Sequence, residues 1–315
     1  MKILVVGAGA VGGYFGARLA QAGRDVTFLV RPARAEQLQK DGLRILSPHG
    51  DATLKPKTIT TSEITTPYDL IFLSVKAQAL DQAIKDLTPA VGPDTMIYPV
   101  LNGMRHMETL SQVFGEQKVL GGVCMVSTEL DDQNRIVQMT PMQKLIYGER
   151  NGECERSGEI TPRIRALDEA LRDASFDTEL SATITQAMWH KWVMIASLGL
   201  VTCLLGGPIG EVNSVPDGEQ TALQAVDECV AIGKACGFPY PPPLHEWLRK
   251  QATAKDSKLT SSLYRDLQKG APIEVDTILG DLLDQGHAHH LETPLLQACC
   301  VRLRVYQNNL KSGQP

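Results

Sequence analysis

The apolar residues of this chain follow two rhythms. Residues 3–6 (ILVV) are a short β-branched run, 14–22 carry helical spacing, and 25–30 (DVTFLV) make a second strand-like run. Further strand patterns fall at 70–75 (LIFLSV), 95–101 (TMIYPVL) and 119–126 (VLGGVCMV), with helical spacing between them at 33–40, 79–87 and 106–114. Strand and helix in alternation predict a parallel sheet covered on both faces. Residues 135–140 and 144–147 read as the two arms of a hairpin at the sheet edge, and the polar stretch 149–162 (ERNGECERSGEITP) reads as a surface loop.

From residue 163 the period is helical: 163–174, 182–205, 217–236, 244–253, 258–269, 273–286 and 292–310. The breaks fall at GGP (206–208), GFPYPPP (237–243), GAP (270–272) and HAHH before Thr293-Pro294. The predicted architecture is an α/β doubly wound sheet domain over residues 1–180, followed by an all-helical domain over 181–315. A length of 315 residues suits two domains, and 43% apolar residues gives each a core. The apolar run 192–207 is shorter than the roughly 20 residues that cross a bilayer, and Pro208 follows it, so a buried helix is expected and no membrane span.

Charge narrows the partners. With 31 Lys and Arg against 36 Asp and Glu, no broad cationic face for nucleic acid is implied. The seven cysteines are odd in number and lack Cys-x-x-Cys spacing, which suits reduced thiols in the cytoplasm. The histidines of HAHH (287–290) lack an obvious carboxylate or thiolate partner, so no metal site is expected.

The opening stretch carries the first chemistry. Gly7, Gly9 and Gly12 make G-x-G-x-x-G at the end of a strand and the mouth of a helix, with Ala8, Ala10 and Val11 between them. The first glycine allows a tight turn, the second lets backbone approach a pyrophosphate, and the third lets helix and strand pack closely. The phosphates then meet free N–H groups and the positive end of the helix dipole. The same letters resemble an export signal, but Arg18 interrupts its apolar segment and the strand at 25–30 has no place in one. At the end of that second strand, where Asp or Glu usually accepts hydrogen bonds from ribose hydroxyls, the chain reads LVRPAR, with Arg31 at the tip and Arg34 beyond. Cations there suit a 2′-phosphate, so the expected cofactor is NADP(H).

GAGAVGGYFG at 7–16, SVKA at 74–77, LNGM at 101–104, AMWHKW at 187–192 and SSLYRDLQKGAPIEVD at 261–276 together resemble the ketopantoate reductase (2-dehydropantoate 2-reductase) family, in order and across nearly the whole chain. The resemblance implies a Rossmann-type N-terminal domain, a helical C-terminal domain and a cleft between them. There NADPH reduces a 2-oxo acid to a D-2-hydroxy acid, in a step towards pantothenate and coenzyme A. By motif, Lys191 takes the place of the family's general acid and Glu274 that of its substrate-binding carboxylate. Ser262 matches the serine that contacts the substrate carboxylate, Asn102 bridges nicotinamide and substrate, and Lys76 lies near the cofactor. On chemical grounds His190 is the rival proton donor, but neighbours on a helix point about 100° apart and at most one faces a cleft.

The family usually presents asparagines one and two turns after its lysine; here those places hold Ile195 and Gly199. That departure keeps two alternatives open: reduction of a more apolar 2-oxo acid, and NADP(H) sensing without turnover. A homodimer is compatible with the sequence, which does not itself set the oligomeric state.

Overall fold

The computed structural model describes residues 1–150 and 152–312. Its contacts divide the chain into two compact units: Met1–Leu101 with His106–Ala187, and Asn102–Arg105 with Met188–Pro315. The divide falls in the first turn of a long helix, a few residues beyond the expected boundary at 180, and four residues from the middle of the chain group with the helical unit.

The first unit runs β1 (Lys2–Val6), α1 (Ala10–Gln21), β2 (Asp25–Leu29), α2 (Pro32–Asp41), β3 (Leu43–Leu46), β4 (Ala52–Leu54), β5 (Lys57–Ile59), β6 (Leu70–Leu73), α3 (Leu80–Leu87), β7 (Met96–Pro99), α4 (Arg105–Phe114), β8 (Gly121–Leu130), β9 (Ile136–Gly148), α5 (Gly152–Ser157), α6 (Pro162–Leu171) and β10 (Asp177–Leu180). Five strands form a parallel sheet in the order β5-β2-β1-β6-β7. Ile3, Val5, Leu70, Ile71 and Phe72 on its central strands β1 and β6 are fully buried, which is why those strands read as unbroken apolar runs rather than as alternation. The strand order reverses on either side of β1, so the residues leaving β1 emerge at the switch point where open α/β sheets bind their ligands.

A second sheet was not expected. It has the order β10-β9-β3-β4, with β8 antiparallel to β9. Residues 135–140 and 144–147 are therefore not two arms of one hairpin; both fall on the single strand β9, whose antiparallel partner is β8. The ladder passes from Val126↔Gln143 to Thr128↔Gln138, and residues 139–142 bulge between those pairs. Pro141, which has no N–H to donate, sits in the bulge, where the ladder is already interrupted. The stretch expected as a loop contains α5 and the start of α6; Thr161 Oγ1 accepts the Ile164 N–H at 3.4 Å and Pro162 opens the helix.

The second unit contains α7 (Ile184–Leu205, from Met188 onward), α8 (Ile209–Val212), α9 (Gly218–Ala235), α10 (Pro242–Ala252), α11 (Ser262–Gln268), a π-helical stretch (Asp276–Gly280), α12 (Asp281–Ala288) and α13 (Pro294–Ser312). The helix expected over 273–286 is thus broken into the π stretch and α12. By length and composition α7 could cross a membrane, yet 61% of its apolar window is buried inside the protein. Trp192, Val193, Ala196 and Leu200 of α7 share a core with Val226 of α9 and Leu303 of α13. None of the seven cysteines is in a disulfide; burial pushes the Cys203 thiol up to about 11 and that of Cys229 to about 12, which keeps both as protonated core residues.

Candidate active site

The glycine turn between β1 and α1 has the geometry its spacing predicts. Gly7 has φ of +101°, and a Cβ there would lie 3.2 Å from the Ser74 backbone. At Gly12 a Cβ would stand 1.9 Å from Ser74 Oγ and 2.2 Å from the Gly7 carbonyl oxygen, so helix, turn and the end of β6 meet there without room for a side chain. Ser74 ties the turn down by donating to the carbonyls of Val6 at 3.1 Å and Gly7 at 3.0 Å. At Gly9, by contrast, no atom lies within 4 Å of a Cβ position, and no side chain caps the start of α1. Uncapped first-turn N–H groups beside an open glycine are a cradle for phosphate oxygens, so this turn fits a dinucleotide pyrophosphate.

Arg31 is exposed at the cap position of α2. Arg34 is half-buried and closer to the turn than its spacing suggests: Nη2 donates to the Ala8 carbonyl at 3.0 Å and Nη1 to Gln37 Oε1 at 2.7 Å. Burial lowers the pKa of this guanidinium from its usual value, and both hydrogen-bond acceptors are neutral. Lys76 is exposed at the cap of the short turn Ala77–Ala79 after β6.

In the helical unit the structure brings two expected residues together across 89 positions of sequence: Lys191 Nζ donates to Asn102 Oδ1 at 2.9 Å. Its neighbours on α7 go elsewhere. His190 Nε2 lies 3.0 Å from the Pro239 carbonyl, its ring meets Tyr240 edge-on, and the Tyr240 hydroxyl donates to the His190 carbonyl. Trp192 Nε1 donates to the Ile278 carbonyl at 2.9 Å, while Trp189 stacks on Phe238 with centroids 5.0 Å apart. Of the two rival donors, the lysine meets Asn102 and the histidine is engaged with the 239–240 stretch.

The turn carrying Asn102 is seated tightly. Gly103 has φ of +79°, and a Cβ there would lie 2.2 Å from the Thr277 carbonyl oxygen. Glu274, half-buried, stands just before the π-helical stretch containing Thr277; its carbonyl accepts from Ile278 N at 3.2 Å and from Thr277 Oγ1 at 3.3 Å. Ser262 is the exposed first residue of α11. The capping work is done by its neighbour: Ser261 Oγ accepts from Tyr264 N at 3.0 Å and hydrogen-bonds Thr202 Oγ1 at 2.8 Å, which leaves the Ser262 hydroxyl outside the cap.

The two departures from the family pattern differ in character. Ile195 is half-buried, whereas Gly199 is buried, with Leu263 Cδ1 at 3.0 Å and Leu279 Cδ2 at 3.7 Å from its Cβ position. Gly199 is thus the small residue that lets α11 approach α7. Restoring an amide there, Gly199→Asn, forces Leu263 aside and is expected to cost about 1–3 kcal/mol as overpacking, read as a lower midpoint in urea unfolding; an unchanged midpoint would show that Leu263 yields freely.

Compared with known families, residues 3–152 match the model described as "Ketopantoate reductase PanE/ApbA" and residues 183–307 match "Ketopantoate reductase PanE/ApbA C terminal". The chain belongs to the ketopantoate reductase family. Among its relatives, "Uncharacterized oxidoreductase YkpB" of Bacillus subtilis is 36% identical over 98% of this chain and 99% of its own length. A 2-dehydropantoate 2-reductase of Mesorhizobium japonicum is 25% identical over 96% of this chain and 97% of its own. The crystal structure of 2-dehydropantoate 2-reductase from Methylococcus capsulatus superposes with a TM-score of 0.84 at 25% identity, covering 98% of both chains. As a member of the ketopantoate reductase family the chain is an oxidoreductase acting on a small molecule, with the family's pairing of a parallel-sheet N-terminal domain and a helical C-terminal domain.

Proposed function

We propose that this ketopantoate reductase family member reduces 2-dehydropantoate to D-pantoate with NADPH. The observation that carries the reading is the Lys191–Asn102 hydrogen bond, which fixes a primary amine in the unit that matches the family's C-terminal model. When bound, the nicotinamide supplies hydride to the carbonyl carbon of the 2-oxo acid. Negative charge then develops on the carbonyl oxygen, and Lys191 Nζ gives that oxygen a proton, leaving a neutral amine that solvent reprotonates. Asn102, accepting from the amine through Oδ1, holds it in one orientation through this cycle. Ser262 meets the substrate carboxylate, and Glu274 accepts a hydrogen bond from the substrate hydroxyl.

The glycine turn of residues 7–12 takes the pyrophosphate. Arg31 and Arg34 take the 2′-phosphate, and Lys76 adds positive charge beside the cofactor. The role of Arg34 is supported by its burial against neutral acceptors next to Ala8: a half-desolvated cation there gains from an anionic ligand.

The test is NADPH oxidation with 2-dehydropantoate, run beside a panel of apolar 2-oxo acids and repeated with NADH. Turnover is expected with 2-dehydropantoate and with NADPH preferred. Arg31→Ala is expected to raise KM for NADPH about 10- to 100-fold, the value of a charged hydrogen bond worth about 1.5–3 kcal/mol, with little change for NADH. Equal losses with both cofactors would remove the 2′-phosphate from the reading. Tight NADPH binding without turnover of any acid would remove the reductase.

A further inference from the structure

Residues 102–105 are held by the helical unit at every position. Asn102 accepts from Lys191, Gly103 lies against the Thr277 carbonyl, and Met104 packs on the helical core. Arg105 pairs with Asp281 at the start of α12 and lies 3.9 Å from Asp284. Only the last of these attachments is ionic. It is also lopsided: the Arg105 side chain is 58% exposed, while that of Asp281 is 9% exposed, so a solvent-facing guanidinium reaches a carboxylate sunk in the helical unit.

We propose that the Arg105–Asp281 ion pair anchors the 102–105 segment and thereby keeps the Asn102 amide within hydrogen-bonding reach of Lys191. Arg105 and Asp281 are positioning residues for the amine. Asn102 is three residues from Arg105 with a glycine between them, so the ion pair closes a short loop whose other end is the lysine. Releasing Arg105 frees a segment whose flexible point, Gly103, adjoins Asn102. The effect of the pair on turnover rests on the reductase reading above; its effect on the lysine does not.

The surroundings make the anchor sensitive to acid. The groups facing Asp281 are Arg105 from the segment, Asp284 from its own helix, Asp276 from the π-helical stretch and Arg304 from α13. Burial is the largest influence and pushes the Asp281 carboxyl up to about 6, with Arg105 opposing it and the neighbouring carboxylates adding to it. Lowering the pH through about 6 therefore neutralises Asp281 and takes away the nearest counter-charge of Arg105. The stability effect has the opposite sign. Because the folded-state value lies above the unfolded 3.8, protonation of this group favours the fold, and its contribution to stability grows as the pH falls from about 6 to about 4. Loss of activity through the anchor is thus separable from acid unfolding.

The experiment uses the full chain with Arg105→Ala, Arg105→Lys, Asp281→Asn and the double variant Arg105→Ala/Asp281→Asn. The rate at which an acylating reagent modifies the Lys191 amine, followed by mass spectrometry at one fixed pH, reports the Asn102 tie without substrate. That rate is expected to rise about 3- to 10-fold in Arg105→Ala and Asp281→Asn, to stay near wild type in Arg105→Lys, and to rise no further in the double variant. In turnover, kcat should fall about tenfold in the same two variants with the Kd for NADPH unchanged, and the acid limb near pH 6 should be absent from Asp281→Asn. Asp281→Asn should melt above wild type at pH 8, and that gap should close towards pH 5, which shows that the variant folds. Unchanged Lys191 labelling in Arg105→Ala and Asp281→Asn overturns the anchor, as does an acid limb that persists in Asp281→Asn. Wild-type protein that fails to turn over any 2-oxo acid sinks the reductase reading, while the labelling result still decides the anchor.

Discussion

Replacing Lys191 by alanine is expected to lower kcat with 2-dehydropantoate by about 10²- to 10⁴-fold, the usual contribution of a positioned proton donor. The nearest alternative on α7 does not compensate, because His190 is engaged with the Pro239 carbonyl and Tyr240. The affinity for NADPH should be preserved, since the cofactor contacts proposed here lie in the glycine turn and at Arg31, Arg34 and Lys76. Lys191→Arg is the informative companion: it keeps a positive charge and hydrogen-bond donors, but a guanidinium does not release its proton near neutral pH. If electrostatic stabilisation of the developing oxyanion were sufficient, the arginine variant would recover most of the lost rate; if proton donation is required, it remains close to the alanine variant. Steady-state NADPH oxidation and fluorescence titration of NADPH measure both quantities, and a wild-type rate in Lys191→Ala removes this residue from the mechanism.

The second large effect is expected at Gly12. A Cβ there meets Ser74 Oγ at 1.9 Å and the Gly7 carbonyl at 2.2 Å, and the second contact is with backbone, which cannot rotate out of the way. Gly12→Ala must push α1 off the end of β1, at a cost of about 1–3 kcal/mol or more, and should weaken NADPH binding by at least about 100-fold because the first-turn N–H groups of α1 move with it. Gly9→Ala makes the contrast. Nothing lies within 4 Å of its Cβ position, so the melting temperature should hold while the methyl group enters the space left for the pyrophosphate and NADPH binding falls. Thermal unfolding with and without NADPH separates the two variants, and wild-type NADPH affinity in Gly9→Ala would place the pyrophosphate elsewhere.

What could be read from the sequence was local. The glycine turn, its flanking strands and the long helices of the second half depend on spacings within about twenty residues; the Gly- and Pro-rich breaks at 206–208 and 270–272 fall between helices, and that at 237–243 runs only into the first two residues of α10. The second sheet was missed because β3, β4 and β10 are three or four residues long, and because β3 and β10 join β9 across long stretches of sequence, as in Ile45↔Ile136 and Asp177↔Lys144. Pro141 was misleading: it reads as a turn, and it lies in a bulge of a thirteen-residue strand. Within the candidate site, the partnerships of the expected residues were not legible. Asn102 and Lys191 are 89 residues apart, Ser261 rather than Ser262 caps α11, and nothing in LVRPAR says that Arg34 reaches back to the Ala8 carbonyl. The only signal for the last was a second cation one turn into α2, on the side of the helix start that faces the glycines.

The four residues Asn102–Arg105 belong by contact to a unit whose remaining residues begin at Met188. A gene fragment encoding 188 onward would therefore produce helices with a vacant seat at the Thr277 carbonyl, an Asp281 without its guanidinium and a Lys191 without its amide acceptor. No single excision yields the helical half intact. Exchange of that half between relatives by recombination at one crossover would carry the lysine from one parent and its acceptor from the other, so functional chimaeras should be those that inherit 102–105 and the helices together.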